Sequence, residues 1–386
     1  MADERSKTLV IVTGASRGLG KAIVVEMAKA LSNSAAHKRT HFLLIGRVRH
    51  RWDGAERQEA QDGIAEDAQL TVAIHRCDLA GPLEDVGSAF DAILSSEWTG
   101  SGPFHQVYFI HNSANTGPLD IIRDISPAEI RTNLLFNIGS PFLLTGRLLR
   151  FVAPNDGAAP PRAKRLRIVN ISSLGAKVAF PASGLYCMGK AARDMLMLQV
   201  AAEEKGTTEY DIKTLSYAPG PMRTAMTEPM FEGRCASESV IQSFRDMEKN
   251  NTLVDPYETS RKMVRLLLDD KYESGAHIDV FDIEDEPSNE AFALQAEVMA
   301  VREENRRLRT VNPKVEVDRR AVLPSADSPP DGRRGVVHSR SLASPTAASL
   351  AGLLVRGVSQ EAAAALPHPH GQPQAPQHQQ PQPQPQ

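Results

Sequence analysis

The feature that most constrains this chain is a series of short apolar runs, each followed by a turn and, in most cases, a helical pattern. TLVIVTG (8–14), HFLLIGR (41–47), TVAIHRCD (71–78), QVYFIHNS (106–113), RLRIVNISS (165–173), IKTLSYAPG (212–220) and AHIDVFDI (276–283) all read as strands. After the first of them, Ile23, Val24, Met27 and Leu31 recur at helical spacing. Strands that are apolar nearly throughout bury both faces, and strands alternating with helices pair in parallel. The predicted fold class is α/β, a doubly wound parallel sheet in a single domain over 1–285. Asp255-Pro256, ahead of YETSRKMVRLLL, predicts a helix start, with an acid at the cap and Glu258 three residues on.

Composition changes beyond that domain. Residues 310–386 include PSADSPPDGRR and PHPHGQPQAPQHQQPQPQPQ, which are rich in Pro, Gln, Ser and Gly and have little to bury, so a disordered tail is expected. The His residues of PHPHG read as solvated, not as metal ligands. Within 286–309, Ala291, Leu294, Val298, Val301, Asn305 and Leu308 alternate at spacings of three and four. That pattern fits a single amphipathic helix or a short coiled coil.

A net charge of -3 gives no reason to expect a nucleic-acid partner. Cys77, Cys187 and Cys235 are widely spaced and odd in number, so neither a disulfide framework nor a metal cluster is expected. A reducing cytoplasm suits them. MADERSKTLVIVTG lacks the features of a secretory signal, and no apolar run approaches the ~18 residues of a membrane span.

TGASRGLG (13–20) leaves the first strand and opens a helix, with Gly14, Gly18 and Gly20 placed as a pyrophosphate-binding turn requires. The sheet is therefore expected to be of Rossmann type. Dinucleotide binders that select NAD end their second strand in an acid; this one ends in Gly46-Arg47, and Arg17 stands inside the loop. Two guanidinium groups suit the 2'-phosphate of NADP, although surface arginines are ordinarily just solvated. Asp78, with the neighbouring backbone of Leu79, is placed to contact the adenine edge.

Tyr186 and Lys190 stand four apart in YCMGKAARDML (186–196), a spacing that by itself says only that they share a helix face. Thirteen residues upstream of Tyr186 lies Ser173, the second serine at the end of NISS; Ser172 reads as a buried strand-end residue.

TGASRGLG, a Ser thirteen residues before Tyr-x-x-x-Lys, and PGPMRT (219–224) together resemble the short-chain dehydrogenase/reductase family over 7–285. NISSL, LYCMGKAARDML, YAPGP, LVD and SGAHIDVFD resemble its sepiapterin reductase branch. The resemblance implies NADP(H) as cofactor and assigns roles to residues. Tyr186 would give its proton to a carbonyl oxygen while hydride arrives from the nicotinamide. Lys190 would favour the phenolate and hold the nicotinamide ribose. Ser173 would hydrogen-bond the substrate carbonyl. Asn137 would hold a water behind Lys190, with Asn133 a competing candidate. The cofactor would be bound by Gly14, Ser16, Arg17, Gly18, Leu19, Gly20, Arg47, Asp78, Leu79, Asn112, Tyr186, Lys190, Pro219, Gly220 and Thr224. Asp279 would grip the 2-amino-4-oxopyrimidine edge of a pterin, since a carboxylate accepts from two parallel N–H donors; as a strand-end acid before FDIEDE it could equally be solvated.

Two departures from the family pattern stand out. HNSA (111–114) keeps Asn112 but has Ala114 where glycine is usual, and Ser183 stands where an aromatic ring often flanks the pocket. Residues 222–254 read as a substrate lid or a plain surface insertion. The function expected is NADPH-dependent reduction of a pterin side-chain ketone on the route to tetrahydrobiopterin, by a homodimer built on the helices after Asn112 and Tyr186. Reduction of other ketones, diketones or quinones is the first alternative. A nucleotide-sensing module that uses the tail is the second.

Overall fold

The computed structural model describes residues 7–34, 39–46, 69–96, 99, 103–153, 160–206 and 209–284. The segments 286–309 and 310–386, and with them the amphipathic helix and the tail, lie outside the described residues, as does Arg47.

Seven strands form one sheet: β1 Lys7–Thr13, β2 Arg39–Gly46, β3 Gln69–Arg76, β4 Phe104–His111, β5 Ala163–Ile171, β6 Asp211–Ala218 and β7 Ala276–Asp279. Every pairing is parallel, in the order β3-β2-β1-β4-β5-β6-β7. The helices are α1 Gly18–Ser32, α2 Leu83–Leu94, α3 Pro127–Leu134, α4 Ser140–Val152, α5 Gly184–Glu203, α6 Glu228–Phe231, α7 Glu238–Lys249 and α8 Pro256–Asp269. The helix start at Asp255 is as expected: its carboxylate accepts from the backbone N–H of Tyr257 (2.9 Å) and Glu258 (3.0 Å).

The period of two along each strand divides the apolar side chains between two cores. Leu9 and Ile11 of β1 point to one face, with Phe109, Ile168 and residues of α2, α4 and α5. Val10 and Val12 point to the other, with Phe42, Ile110, Leu215 and residues of α1 and α8. All four β1 side chains are fully buried, and each such residue stabilises by roughly 1.5–3 kcal/mol relative to exposure. Burial on both faces is what the unbroken apolar runs require.

The chain leaves β1 toward β2 on one side and resumes at β4 on the other. At such a reversal the two connections diverge and open a crevice beyond the C-terminal ends of the strands, where ligands bind in open α/β sheets. In this protein the crevice lies between the ends of β1 and β4, next to the glycine loop.

Candidate active site

The glycine loop is shaped by contacts that a side chain would prevent. Gly14 and Gly18 adopt left-handed backbone conformations, with φ of 69° and 54°. A Cβ on Gly20 would lie 2.2 Å from the Gly14 carbonyl oxygen and 2.5 Å from Asn112 Nδ2. Asn112 Nδ2 donates to the carbonyls of Thr13 (3.0 Å) and Gly14 (3.1 Å). Thr13 Oγ1 in turn accepts from the backbone N–H of Asn112 (3.1 Å) and Ser113 (3.0 Å). These bonds join the ends of β1 and β4. Helix α1 then starts with no side-chain cap and no acid in its first turn, which leaves its N–H groups and positive dipole end for an anion. The loop therefore fits a dinucleotide pyrophosphate.

A cavity of about 760 Å3 opens from this loop. Gly14, Ser16, Arg17, Gly18, Leu19, Gly20, Asn112, Ser173, Tyr186, Lys190, Pro219, Gly220, Thr224 and Asp279 all line it. Asp78 and Leu79 do not. Asp78 is exposed and accepts from the Ala80 N–H (3.2 Å), while Leu79 is buried and its carbonyl accepts from Ser140 Oγ (2.6 Å).

Ser173 sits between β5 and a 3-10 turn, Leu174–Ala176, where its Oγ accepts from the Gly175 N–H (3.1 Å) and hydrogen-bonds Tyr186. Tyr186 is in the first turn of α5. Burial raises the pKa of its phenol, while the Ser173 hydrogen bond and the Arg193 charge oppose the rise. Lys190 is buried, its Nζ donates to the Ile171 carbonyl (2.6 Å), and it lies 5.5 Å from the Tyr186 ring centroid. Burial, then repulsion from Arg193, holds its ammonium well below the usual lysine range, against the attraction of Asp194. From sequence, Lys190 is the cation that favours the phenolate. In the fold Lys190 is itself buried and desolvated.

Asn137 lies in a single π-helical turn, Leu135–Gly139, between α3 and α4. Such turns insert one residue and recur at functional sites. Its Oδ1 accepts from the Asn115 N–H (3.1 Å), and its Nδ2 reaches the Asn115 carbonyl (3.0 Å) and Asn133 Oδ1 (3.1 Å). Asn133 donates to Asn115 Oδ1 (2.8 Å). The two asparagines that compete in the sequence thus share one network with Asn115, which carries no sequence signal. Gly189, between Tyr186 and Lys190, permits this packing: a Cβ there would lie 2.9 Å from Asn137 Cβ.

Residues 222–254 form α6 and α7 over the cavity, which Met222, Met226, Met230, Phe244 and Met247 help to line. The Val254 N–H donates to the Pro221 carbonyl (2.7 Å), which ties the end of this segment to its start. Ser183 is buried at the start of α5, after Ala182 in a left-handed conformation (φ 58°). The ring missing at Ser183 is not the end of aromatic lining, since Phe136, Phe180 and Phe281 also reach the cavity. Asp279 ends β7, and its Oδ1 accepts from the Phe281 N–H (3.1 Å). Burial raises its carboxyl pKa, against that backbone bond.

The contact at Gly189 gives a test. Gly189→Ala should push the turn carrying Asn137 away from α5 and lower kcat by about tenfold to a hundredfold. Cofactor affinity, measured by fluorescence titration, should change little, because the glycine loop is not touched.

Residues 8–234 match the short chain dehydrogenase family model. Sepiapterin reductase of Xenopus tropicalis is 33% identical over 286 residues, covering 71% of this chain and 96% of that protein. Sepiapterin reductase of Bos taurus is 30% identical, covering 72% and 95%. Benzil reductase ((S)-benzoin forming) of Bacillus cereus is 24% identical, covering 69% and 96%. Among solved structures, a short-chain dehydrogenase/reductase from Saccharomyces cerevisiae superposes with a TM-score of 0.54 at 20% identity, covering 71% of this chain and 96% of that one. NAD+-bound xylitol dehydrogenase does so with 0.53 at 18%, covering 72% and 98%. With a matching family model over more than half its length, and with a glycine loop, Ser173, Tyr186 and Lys190 converging on one cavity, this chain is an oxidoreductase that belongs to the short-chain dehydrogenase/reductase family.

Proposed function

We propose that this protein is an NADPH-dependent carbonyl reductase acting on the side-chain ketone of a pterin, as a cytoplasmic enzyme of tetrahydrobiopterin synthesis. The observation that carries this reading is Asp279: a carboxylate lining the same cavity as Tyr186 and Ser173. Identity of 30–33% to sepiapterin reductases over about 95% of their length supports it.

When bound, NADPH supplies the hydride. The chain's own residues supply the proton and hold the carbonyl. Tyr186 carries its proton at neutral pH, as an acid requires, and burial makes it hold that proton more firmly. Ser173 holds the Tyr186 hydroxyl and offers a hydrogen bond to the oxygen as negative charge develops on it. Lys190, desolvated and bonded to the Ile171 carbonyl, gives up a proton readily and so re-protonates Tyr186. Asn137 fixes the Asn115 backbone behind this pair. The buried and half-buried Met and Phe side chains of the cavity give it an apolar wall suited to a flat ring.

Reduction of diketones is the second reading, favoured by the apolar lining contributed by 222–254 and by the likeness to benzil reductase.

One variant tests the mechanism that both readings share, and a second separates them. Tyr186→Phe should abolish turnover while NADPH binding is kept; full activity in this variant would falsify the mechanism. Asp279→Ala should raise KM for a pterin ketone by about tenfold to a hundredfold, as loss of hydrogen bonds to a charged group implies, and leave KM for a simple diketone unchanged. Equal effects on both substrates would favour the second reading.

The exposed guanidinium of Arg17, beside the loop, is the described group suited to a 2'-phosphate. Arg17→Ala should raise KM for NADPH about tenfold and leave NADH little affected; a uniform change would remove Arg17 from cofactor selection.

Dimerisation is proposed on α4 and α5, where Phe142, Met188, Met195 and Leu198 are exposed. Sedimentation of the purified chain should give twice the monomer mass, and Met195→Lys should shift it toward monomer.

A further inference from the structure

The strongest unused feature of the molecule is a charged side chain with no part in the mechanism above. Arg193 lies two turns along α5 from Tyr186 and is 2% exposed. Its Nη1 donates to the Ser113 carbonyl (2.8 Å) and its Nη2 to the His111 carbonyl. Its Nε has no hydrogen-bond partner. Two backbone carbonyls are modest compensation for a buried guanidinium, and an uncompensated donor beside them adds to the cost. A methionine or leucine would fill an interior site more cheaply. The charge itself must therefore serve the site.

The groups facing it define what that service is. On α5 they are Tyr186, Lys190 and Asp194. From β4 comes His111, whose Nε2 bonds Thr145 Oγ1 (2.9 Å). Thr145 spends its own hydrogen on the Pro141 carbonyl (2.8 Å), so His111 must be the donor to it. Burial and the Arg193 charge keep His111 neutral. Asp194 is engaged elsewhere: Oδ1 accepts from Asn170 Nδ2 of β5 (2.9 Å), and Oδ2 lies 2.7 Å from Nδ1 of His277 on β7. Burial lowers the pKa of Arg193 to about 10, which still leaves it charged at neutral pH.

We propose that Arg193 is a positioning residue: a fixed buried cation that holds the end of β4 against the catalytic helix and sets the proton balance between Tyr186 and Lys190. A permanent charge cannot itself shuttle protons, so Lys190 is left free to do so. The inference rests on the reading of Tyr186 as the acid, and its test is chosen to separate the two.

The signs are definite. A cation beside Tyr186 favours the phenolate, and beside Lys190 it favours the neutral amine. Neutralising Arg193 should therefore make both groups hold their protons to higher pH. The test compares Arg193→Gln, which can still donate to a carbonyl but carries no charge, with Arg193→Lys, which keeps a charge. Tyr186 ionisation is read from tyrosinate absorbance, as the difference between each protein and the same protein carrying Tyr186→Phe. Activity is read as kcat/KM against pH with NADPH and a ketone.

Arg193→Gln should move both the Tyr186 titration and the basic limb of the activity profile to higher pH, and lower kcat at neutral pH roughly tenfold. Arg193→Lys should return most of both shifts. An unmoved Tyr186 titration in folded Arg193→Gln overturns the proposal, whatever happens to activity. Should Arg193→Gln fail to fold, a Tyr186 titration in Arg193→Lys displaced from wild type overturns it. The absorbance titration is independent of turnover. A shifted titration with Tyr186→Phe fully active would uphold Arg193 as the cation and sink the acid role of Tyr186 instead.

Discussion

The site depends on how the end of β4 is held. Thr13 and the Asn112 side chain clasp it to the end of β1 through four hydrogen bonds of 3.0–3.1 Å. Arg193 grips the same stretch from α5 through the His111 and Ser113 carbonyls. One clasp fixes the glycine loop, the other fixes the helix carrying Tyr186 and Lys190. The glycine loop and α5 are thus held to a single strand end gripped from two sides. Parallel strands lend themselves to this, because their ends all point the same way and the divergence between β1 and β4 leaves room for a ligand.

Much of this was legible in the sequence, for a physical reason. Inner strands buried on both faces must be apolar almost throughout, so β1, β2, β4 and β5 stand out as apolar runs, while the edge strands β3 and β7 are half-exposed and show shorter apolar stretches. Gly14, Gly18 and Gly20 announce themselves because the left-handed backbone at the first two and the close contacts at Gly14 and Gly20 favour a residue with no side chain. Ser173, Tyr186 and Lys190 were legible through the family resemblance, their spacing alone being too common to decide; in the fold Ser173 follows β5, the other two stand on α5, and all three line one cavity.

What stayed hidden depends on pairings remote in sequence. Thr13 is an unremarkable strand-end residue until Asn112 is brought beside it, and Arg193 looks like a helix surface charge until β4 buries it. The sequence favours Asn137 over Asn133, but it does not announce the π-helical turn that draws both into one network with Asn115. Gly189 reads as an ordinary helix glycine, yet its missing Cβ is what admits Asn137 to the catalytic helix.

Burial thus divides the labour among the charged groups. Arg193 and Asp194 are held in fixed bonds, while burial raises the pKa of Tyr186 and lowers that of Lys190. Such a site suits reduction of a carbonyl, and the proposed carrier of that carbonyl is a pterin held by Asp279, which lines the same cavity. Sepiapterin reduction by the purified chain with NADPH, beside a panel of simple diketones, tests this most directly. The account predicts one NADPH oxidised per sepiapterin consumed, with a kcat/KM above that of every diketone. Turnover of the diketones with none of sepiapterin would contradict it.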